Sequence, residues 1–318
     1  MPFFTVFTAT FNRGYILPKL YDSLKKQEIM DFEWLVIDDG SSDETEQLFQ
    51  QWIHDETMFP IRYMKKDNGG KPRAINYGIQ YAKGEYFFMV DSDDTLKPDA
   101  LSKMKQWCKE IENKPQFIGV GAARGFPDGS YIKGIAPSVN EYGYIDASNL
   151  QRKDFNLDAD MCEAYKTEIL KKYPMPEWPG EKFAPEQISL NEIALDGYLL
   201  RWHADIIYQC EYLDDGLTKR SNVLEKKNPM GYAMMYNHML RYPDQSIKQI
   251  FKNACQVIAL SIIGGHIEYA FKSKNKKLMI WAFVPGIFLA IRRKFQFRKV
   301  FLLSPRKMKN MDYVNYVK

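Results

Sequence analysis

The chain is poor in the residues that most often announce a chemistry. Its four cysteines, Cys108, Cys162, Cys210 and Cys255, lie far apart with no Cys-x-x-Cys pair or Cys/His cluster, so neither a zinc site nor a disulfide framework is expected. The four histidines are scattered, and His203 reads as structural. There is no internal repeat and no low-complexity tract. No Gly-x-Gly-x-x-Gly follows the first strand-like run, and no Walker-type lysine loop does either, which weighs against a dehydrogenase. Leu278–Ile291 is uncharged but only 14 residues long and interrupted by Pro285 and Gly286, short for a membrane span. Met1 leads directly into a strand-like run rather than a basic and then apolar leader, so a reducing, cytoplasmic setting is the expectation. One stretch lacks acid altogether, with no Asp or Glu between Lys272 and Lys309.

What is present is a globular composition, 45% hydrophobic and 26% charged, with 14% aromatic residues and a net charge of +4 over 318 residues. That length supports one large domain or one domain with an appendage. Short apolar runs at Phe3–Ala9, Glu33–Ile37, Ile61–Met64 and Tyr86–Val90 read as buried strands. Between them lie helical stretches: Tyr15–Gln27 with Ile16, Leu20 and Leu24 on one face, then one from Ser41 to about His54, then one opened by Asn68–Pro72. Ser41 with Glu44 has the form of a capping box, and Pro72 suits a first turn. Strand and helix thus alternate through the first 95 residues, which predicts a parallel, doubly wound α/β sheet. Ligands of such sheets bind beyond the carboxyl ends of the strands. The chemically unusual residues gather at those ends: Thr8 to Arg13, Asp38 to Ser42, Asn68 to Arg73 and Asp91 to Asp94.

The last of these groups organises the rest. Asp91, Ser92, Asp93 and Asp94 directly follow a fully apolar strand, where three carboxylates are costly without a cation. Residues i and i+2 of extended chain point the same way, so Asp91 and Asp93 can converge on one ligand. Two hard oxygen donors there suit Mg²⁺ or Mn²⁺ held partly by a phosphate-bearing substrate. An acidic solvated loop after a core strand remains the alternative for the tetrapeptide alone.

Phe7-Thr-Ala-Thr-Phe-Asn-Arg13, Val36-Ile-Asp-Asp-Gly-Ser-Ser-Asp43, Asn68-Gly-Gly-Lys-Pro-Arg-Ala-Ile-Asn-Tyr-Gly78 and Val90-Asp-Ser-Asp-Asp94 together resemble family 2 glycosyltransferases of the GT-A fold. The likeness covers roughly residues 3–100. It continues more faintly through Tyr165–Leu170, Pro179–Glu186 and Glu211–Thr218, similar to bacterial members that build surface polysaccharides. The resemblance implies an inverting, metal-dependent enzyme that uses a UDP-sugar. Thr8 and Asp39 would hold the uracil and ribose side, with Asn12 and Arg13 beside them. Lys71 and Arg73 would touch the nucleotide or its phosphates, Asp91 would reach ribose or metal, Ser92 would join the nucleotide-sugar contacts, and Asp93 would be the direct Mn²⁺ or Mg²⁺ ligand. Inversion needs a base for the acceptor hydroxyl. Many relatives carry Glu-Asp at a helix start here, whereas this chain has Pro185-Glu186-Gln187; Glu186 is the candidate, with Glu181 and Asp160 as substitutes.

The expected organisation is a GT-A domain over residues 1–225 and a helical, basic, membrane-proximal appendage over 226–318, with Ile247–Ala270 helical. Lysines and arginines flank Leu278–Ile291 on both sides, which fits an apolar segment lying on an anionic membrane surface; a buried helical hairpin is the alternative. No recognition motif accompanies the basic patch, so nucleic acid is not an expected partner. The expected function is transfer of one sugar to a growing, lipid-linked surface glycan at the cytoplasmic face of the membrane. Two rivals stand beside it: an inactive sugar-nucleotide-binding scaffold, and a nucleotidyltransferase, for which Thr8–Arg13 lacks the usual glycine-rich basic loop.

Overall fold

The structure, a computed structural model, describes residues 1–210 and 221–302. It divides into two compact units, Met1–Asp214 and Asp215–Lys318. The division precedes the expected 225/226 boundary because Ser221–Lys227 is already a helix packed with those that follow it. The motif Glu211–Thr218 lies outside the described residues.

The first unit runs β1 (Phe4–Thr10), α1 (Leu17–Lys25), β2 (Phe32–Asp38), α2 (Thr45–Asp55), β3 (Ile61–Lys65), α3 (Lys71–Tyr81), β4 (Tyr86–Met89), β5 (Thr95–Leu96), α4 (Ala100–Glu110), β6 (Phe117–Gly125), β7 (Tyr144–Ala147), a 3₁₀ segment (Asn149–Phe155), β8 (Met161–Lys166), α5 (Thr167–Leu170), α6 (Gln187–Leu195) and β9 (Leu199–Gln209). The strands form one nine-stranded sheet in the order β3-β2-β1-β4-β8-β6-β9-β5, with β7 also paired to β9. β8 is antiparallel to both its neighbours, β4 and β6, so β6 regains the direction of β4, and β9 pairs parallel with β6. Six strands, β1 to β4, β6 and β9, therefore place their carboxyl ends along one edge.

The near-continuous apolar strands are buried on both faces. Val6, Trp34, Val36, Phe88 and Val90 point into the core layer shared with α1, α2 and α4. The alternate residues Phe7, Leu35, Ile37 and Phe87 point into the layer shared with α3 and α6, as the two-residue period of a strand requires. This is the doubly wound, mostly parallel α/β class that the periodicity predicts.

One local expectation is corrected. α2 starts at Thr45, not at Ser41, and no side chain makes the capping hydrogen bond at Glu44. The Ser41 hydroxyl instead donates to Asp38 Oδ1 at 2.6 Å and accepts from the Asn12 N–H at 2.8 Å. It is held by the two strand ends and unavailable to the helix.

The second unit contains α7 (Ser221–Lys227), α8 (Pro229–Met239), α9 (Ile247–Ile263), α10 (Ile267–Phe271) and α11 (Lys276–Leu302). Ser246 caps α9 by accepting from the Gln249 N–H. Ala254, Val257 and Ile258 of α9, Ala270 of α10, and Met279 and Ala282 of α11 make its core. The helix expected over Ile247–Ala270 is broken between α9 and α10, where Gly265 takes a φ of +78°, a conformation that costs glycine little. Among the described residues no helix is long and apolar enough to cross a membrane.

Candidate active site

The ends of β1 and β2 and the loop before α3 form one bonded corner. Asp39 is almost enclosed; its carboxylate accepts from the N–H groups of Gly69 (2.9 Å) and Gly70 (2.7 Å) and from Lys66 Nζ (2.6 Å). Gly70 sits at φ +95°, and a Cβ there would come within 1.7 Å of the Lys182 carbonyl oxygen, so only glycine allows this crossing. Asn12, itself at φ +52°, accepts from the Ser42 N–H through Oδ1 at 2.8 Å and so ties the β1 loop to the β2 loop.

Two of the residues expected at the nucleotide have partners within the protein. Thr8 is fully buried and its hydroxyl accepts from Trp34 Nε1 at 3.1 Å, which ties the end of β1 to β2. Arg73 donates to the carbonyls of Gly69 (2.7 Å), Glu181 (2.5 Å) and Trp178 (2.9 Å) and pairs with Glu177 at 3.1 Å. Its guanidinium staples the 177–182 loop onto the start of α3.

At the end of β4 the acids are sorted by their neighbours. Asp91 lies between two cations, Lys71 Nζ at 2.8 Å and Arg124 Nη1 at 3.0 Å. Burial alone would raise its carboxyl, but the two cations hold it well below the usual carboxylate range. Asp94 is buried, accepts from the Tyr208 hydroxyl at 2.8 Å and has Arg124 at 3.5 Å. Burial and the charge of Asp91 push it up to about 8, so it is largely protonated at neutral pH. Asp93 is more exposed than Asp94, with Arg13 Nη2 at 3.9 Å; burial and the Asp91 charge raise it too. Ser92 between them is buried.

Lys71 joins this acid cluster to the candidate base. Its ammonium lies 3.3 Å from Glu186 Oε1 while it bonds Asp91. Burial opposes the charge, yet Asp91 and Glu186 outweigh it and raise the lysine. Of the three candidate bases, Glu186 is the one that Lys71 links to Asp91; Asp160 is exposed before β8, and the carbonyl of Glu181 accepts from Arg73.

Arg124 and Tyr208 were not singled out from the sequence, nor was Glu163. Arg124, at the carboxyl end of β6, lies 4.2 Å from the centroid of the Tyr208 ring, and the Tyr208 hydroxyl accepts from the Asp91 N–H at 2.9 Å. A lone cation closing the otherwise uncharged run Phe117–Gly125 was the available signal. Glu163 of β8 is buried 3.6 Å from Arg152 and is pushed up to about 7 by burial against that arginine's attraction.

The donor set bears on a divalent cation. Asp93 offers hard oxygen donors, and burial together with the negative charge of Asp91 raises its carboxyl, a cost that a cation would relieve. Among the described residues no three acid, histidine or cysteine side chains gather to hold a metal by themselves. The carboxylate of Asp93 is of the donor type through which Mg²⁺ or Mn²⁺ is commonly bound, with substrate phosphates completing the sphere.

Comparison with known proteins agrees with this geometry. The model of glycosyl transferase family 2 matches residues 5–173. The glycosyltransferase GlyG of Streptococcus pneumoniae is 28% identical over 53% of this chain and 56% of its own length. A GalNAc(5)-diNAcBac-PP-undecaprenol beta-1,3-glucosyltransferase of Campylobacter jejuni is 35% identical over 35% of this chain and 36% of its own. The chain thus spans about half or less of these relatives. Among solved structures, S. aureus TarS 1–349 in complex with UDP-GlcNAc superposes with a TM-score of 0.60 at 19% identity, covering 90% of this chain and 81% of that one. A mannosyltransferase of Pyrobaculum calidifontis, in complex with GDP-Man and Mn²⁺, gives 0.54 at 14% identity, covering 92% and 84%. The sheet order, the polar strand ends and a family match over more than half of its length lead to one conclusion: the chain belongs to glycosyl transferase family 2.

Proposed function

We propose that this enzyme is an inverting, metal-dependent glycosyltransferase that moves one sugar from a UDP-sugar to a growing lipid-linked surface glycan at the cytoplasmic face of the membrane. The observation that carries the reading is the Asp91–Lys71–Glu186 bridge beside Asp93, which sets a candidate base and a candidate metal ligand at one strand edge. The UDP-GlcNAc bound by TarS and the undecaprenol-linked substrate in the name of the Campylobacter relative support the donor and acceptor classes.

In this reading Asp93, with Asp91 beside it, would hold Mn²⁺ or Mg²⁺. When bound, the ion neutralises the diphosphate as it takes on charge. Asp39 shapes the nucleotide corner by fixing Gly69 and Gly70, while Asn12 and Arg13 border it. Lys71 and Arg124 keep Asp91 ionised. Glu186 takes the proton of the acceptor hydroxyl as that oxygen bonds the anomeric carbon. The bond from this carbon to the diphosphate oxygen breaks on the opposite face, and the diphosphate leaves with the electron pair.

The test is a panel of UDP-sugars with a polyprenyl-diphosphate-linked glycan acceptor, read by UDP release and product mass with and without Mn²⁺. Metal-dependent, acceptor-dependent UDP release with inverted product supports the proposal; retained stereochemistry or indifference to metal overturns it.

A further inference from the structure

Helix α11 has two apolar faces, and α9 covers one of them. Met279, Ala282, Gly286 and Ala290 recur at three- and four-residue spacing and are buried. Gly286 lies against α9 so closely that a Cβ would fall 2.6 Å from Ile258 Cγ2. On the opposite side a second line runs through Ile280, Val284, Phe288, Ile291 and Phe295, with Trp281 beside it. All six are exposed, Trp281 by 79% and Phe288 by 68%. A solvent-facing helix side ordinarily carries charge in these positions.

The charge lies around the line instead. Lys277 is exposed at its start, and Arg292 and Lys294 are exposed on its two flanks. No acid occurs anywhere from Lys272 to Lys309. The second unit as a whole, residues 215–318, has 20 Lys and Arg against 5 Asp and Glu. A second copy of this face would set like charges against each other. An anionic bilayer offers what the face asks for, acyl chain for the apolar line and phosphate for its cations.

We infer that the Ile280–Phe295 face of α11 seats the protein on an anionic membrane surface. The helix axis lies in the plane, the apolar line enters the acyl boundary, and Lys277, Arg292 and Lys294 meet headgroup phosphates. The inference deepens the membrane reading of the proposed function by naming the surface, its orientation and its lipid. It accounts for an apolar line that the core of the second unit leaves uncovered.

The test uses the full chain and vesicles of phosphatidylcholine with or without phosphatidylglycerol. Sedimentation is expected with the anionic vesicles, decreasing as salt rises while a residual fraction stays bound. Trp281 is the most exposed tryptophan, so lipids brominated in the acyl chain should quench emission, and Trp281→Phe should lose that quenching while still sedimenting. Trp281→Ser combined with Phe288→Ser should weaken partitioning about tenfold or more, and Arg292→Gln combined with Lys294→Gln should remove most of the salt sensitivity. Thermal melting confirms that each variant is folded. Three outcomes overturn the inference: no sedimentation at low salt, undiminished sedimentation of the serine variant, or a lipid-free dimer that the serine variant abolishes. Transfer to a soluble acceptor, measured separately, distinguishes failure here from failure of the proposed function. Loss of vesicle binding with transfer intact sinks only the α11 assignment.

Discussion

Asp93 and Glu186 divide the proposed chemistry between them, and each can be removed alone. Asp93→Ala takes one acid from a cluster whose negative charges repel one another, so the melting temperature should hold or rise. Mn²⁺-dependent UDP affinity, measured by calorimetry, should be lost; unchanged affinity would remove Asp93 from the metal assignment. Glu186→Gln should bind UDP-sugar as before and lose transfer by ~10²–10⁴-fold, the scale of general-base catalysis. Turnover within a few-fold of the parent would turn attention to Glu181 and Asp160. His203 offers a test of the scaffold alone. Its ring stacks on Trp107 at 3.9 Å, Nε2 is buried without a hydrogen-bond partner among the described residues, and burial lowers its pKa to about 4. The unfolded chain takes up this proton near pH 6.5 and the folded one only near 4. Stability should therefore fall as pH drops between those values, by up to about 3 kcal/mol. His203→Phe should flatten that part of the melting profile.

At the scale of elements, the site depends on how β6 and β9 return to the edge that β1 and β4 established. Arg124 of β6 bonds Asp91 and Asp94 after β4, and Tyr208 of β9 bonds both as well. Arg124→Met would leave Asp91 with Lys71 as its remaining ion-pair partner among these contacts and Asp94 without its cation. The Arg124–Asp91 pair is only partly buried, so losing its charge-assisted hydrogen bonds should cost about 1–3 kcal/mol, which urea unfolding can measure. Adding Asp94→Asn should recover part of the loss, since Asp94 is already close to neutral in the folded protein. No recovery would mean that Arg124 acts through packing on Tyr208 rather than through charge.

Over the whole molecule the net charge of +4 averages two opposed units. Residues 1–214 have 24 Lys and Arg against 35 Asp and Glu, while residues 215–318 have 20 against 5. The basic unit suits an anionic surface, and the acidic one repels a diphosphate in solution. UDP affinity should therefore depend on the divalent ion beyond the local contact. Stripping metal with EDTA should weaken UDP binding by about tenfold or more, and raising monovalent salt should restore a part of that by screening. Affinity indifferent to EDTA would contradict both the charge argument and the metal assignment.

By itself the sequence determined the layer order of the first unit. Apolar runs at Phe3–Ala9, Glu33–Ile37 and Tyr86–Val90 read as strands buried on both faces, and the helical stretches between them imply parallel crossovers. The polar residues at the strand ends then had to share an edge. Tertiary structure alone decided which of them meet. Arg124 and Tyr208 reach Asp91 across 33 and 117 residues of chain, and they do so because β8 enters antiparallel and turns β6 back to the direction of β4. Strand pairing of that kind leaves no trace in periodicity. The same holds for Ser41, whose motif is that of a cap while its hydroxyl is taken by Asp38. In the second unit, composition already showed an apolar stretch between cations. Only packing against α9 decided that Met279, Ala282 and Gly286 turn inward, which leaves Trp281 and Phe288 facing out, because one side of a helix can be buried by a single neighbour.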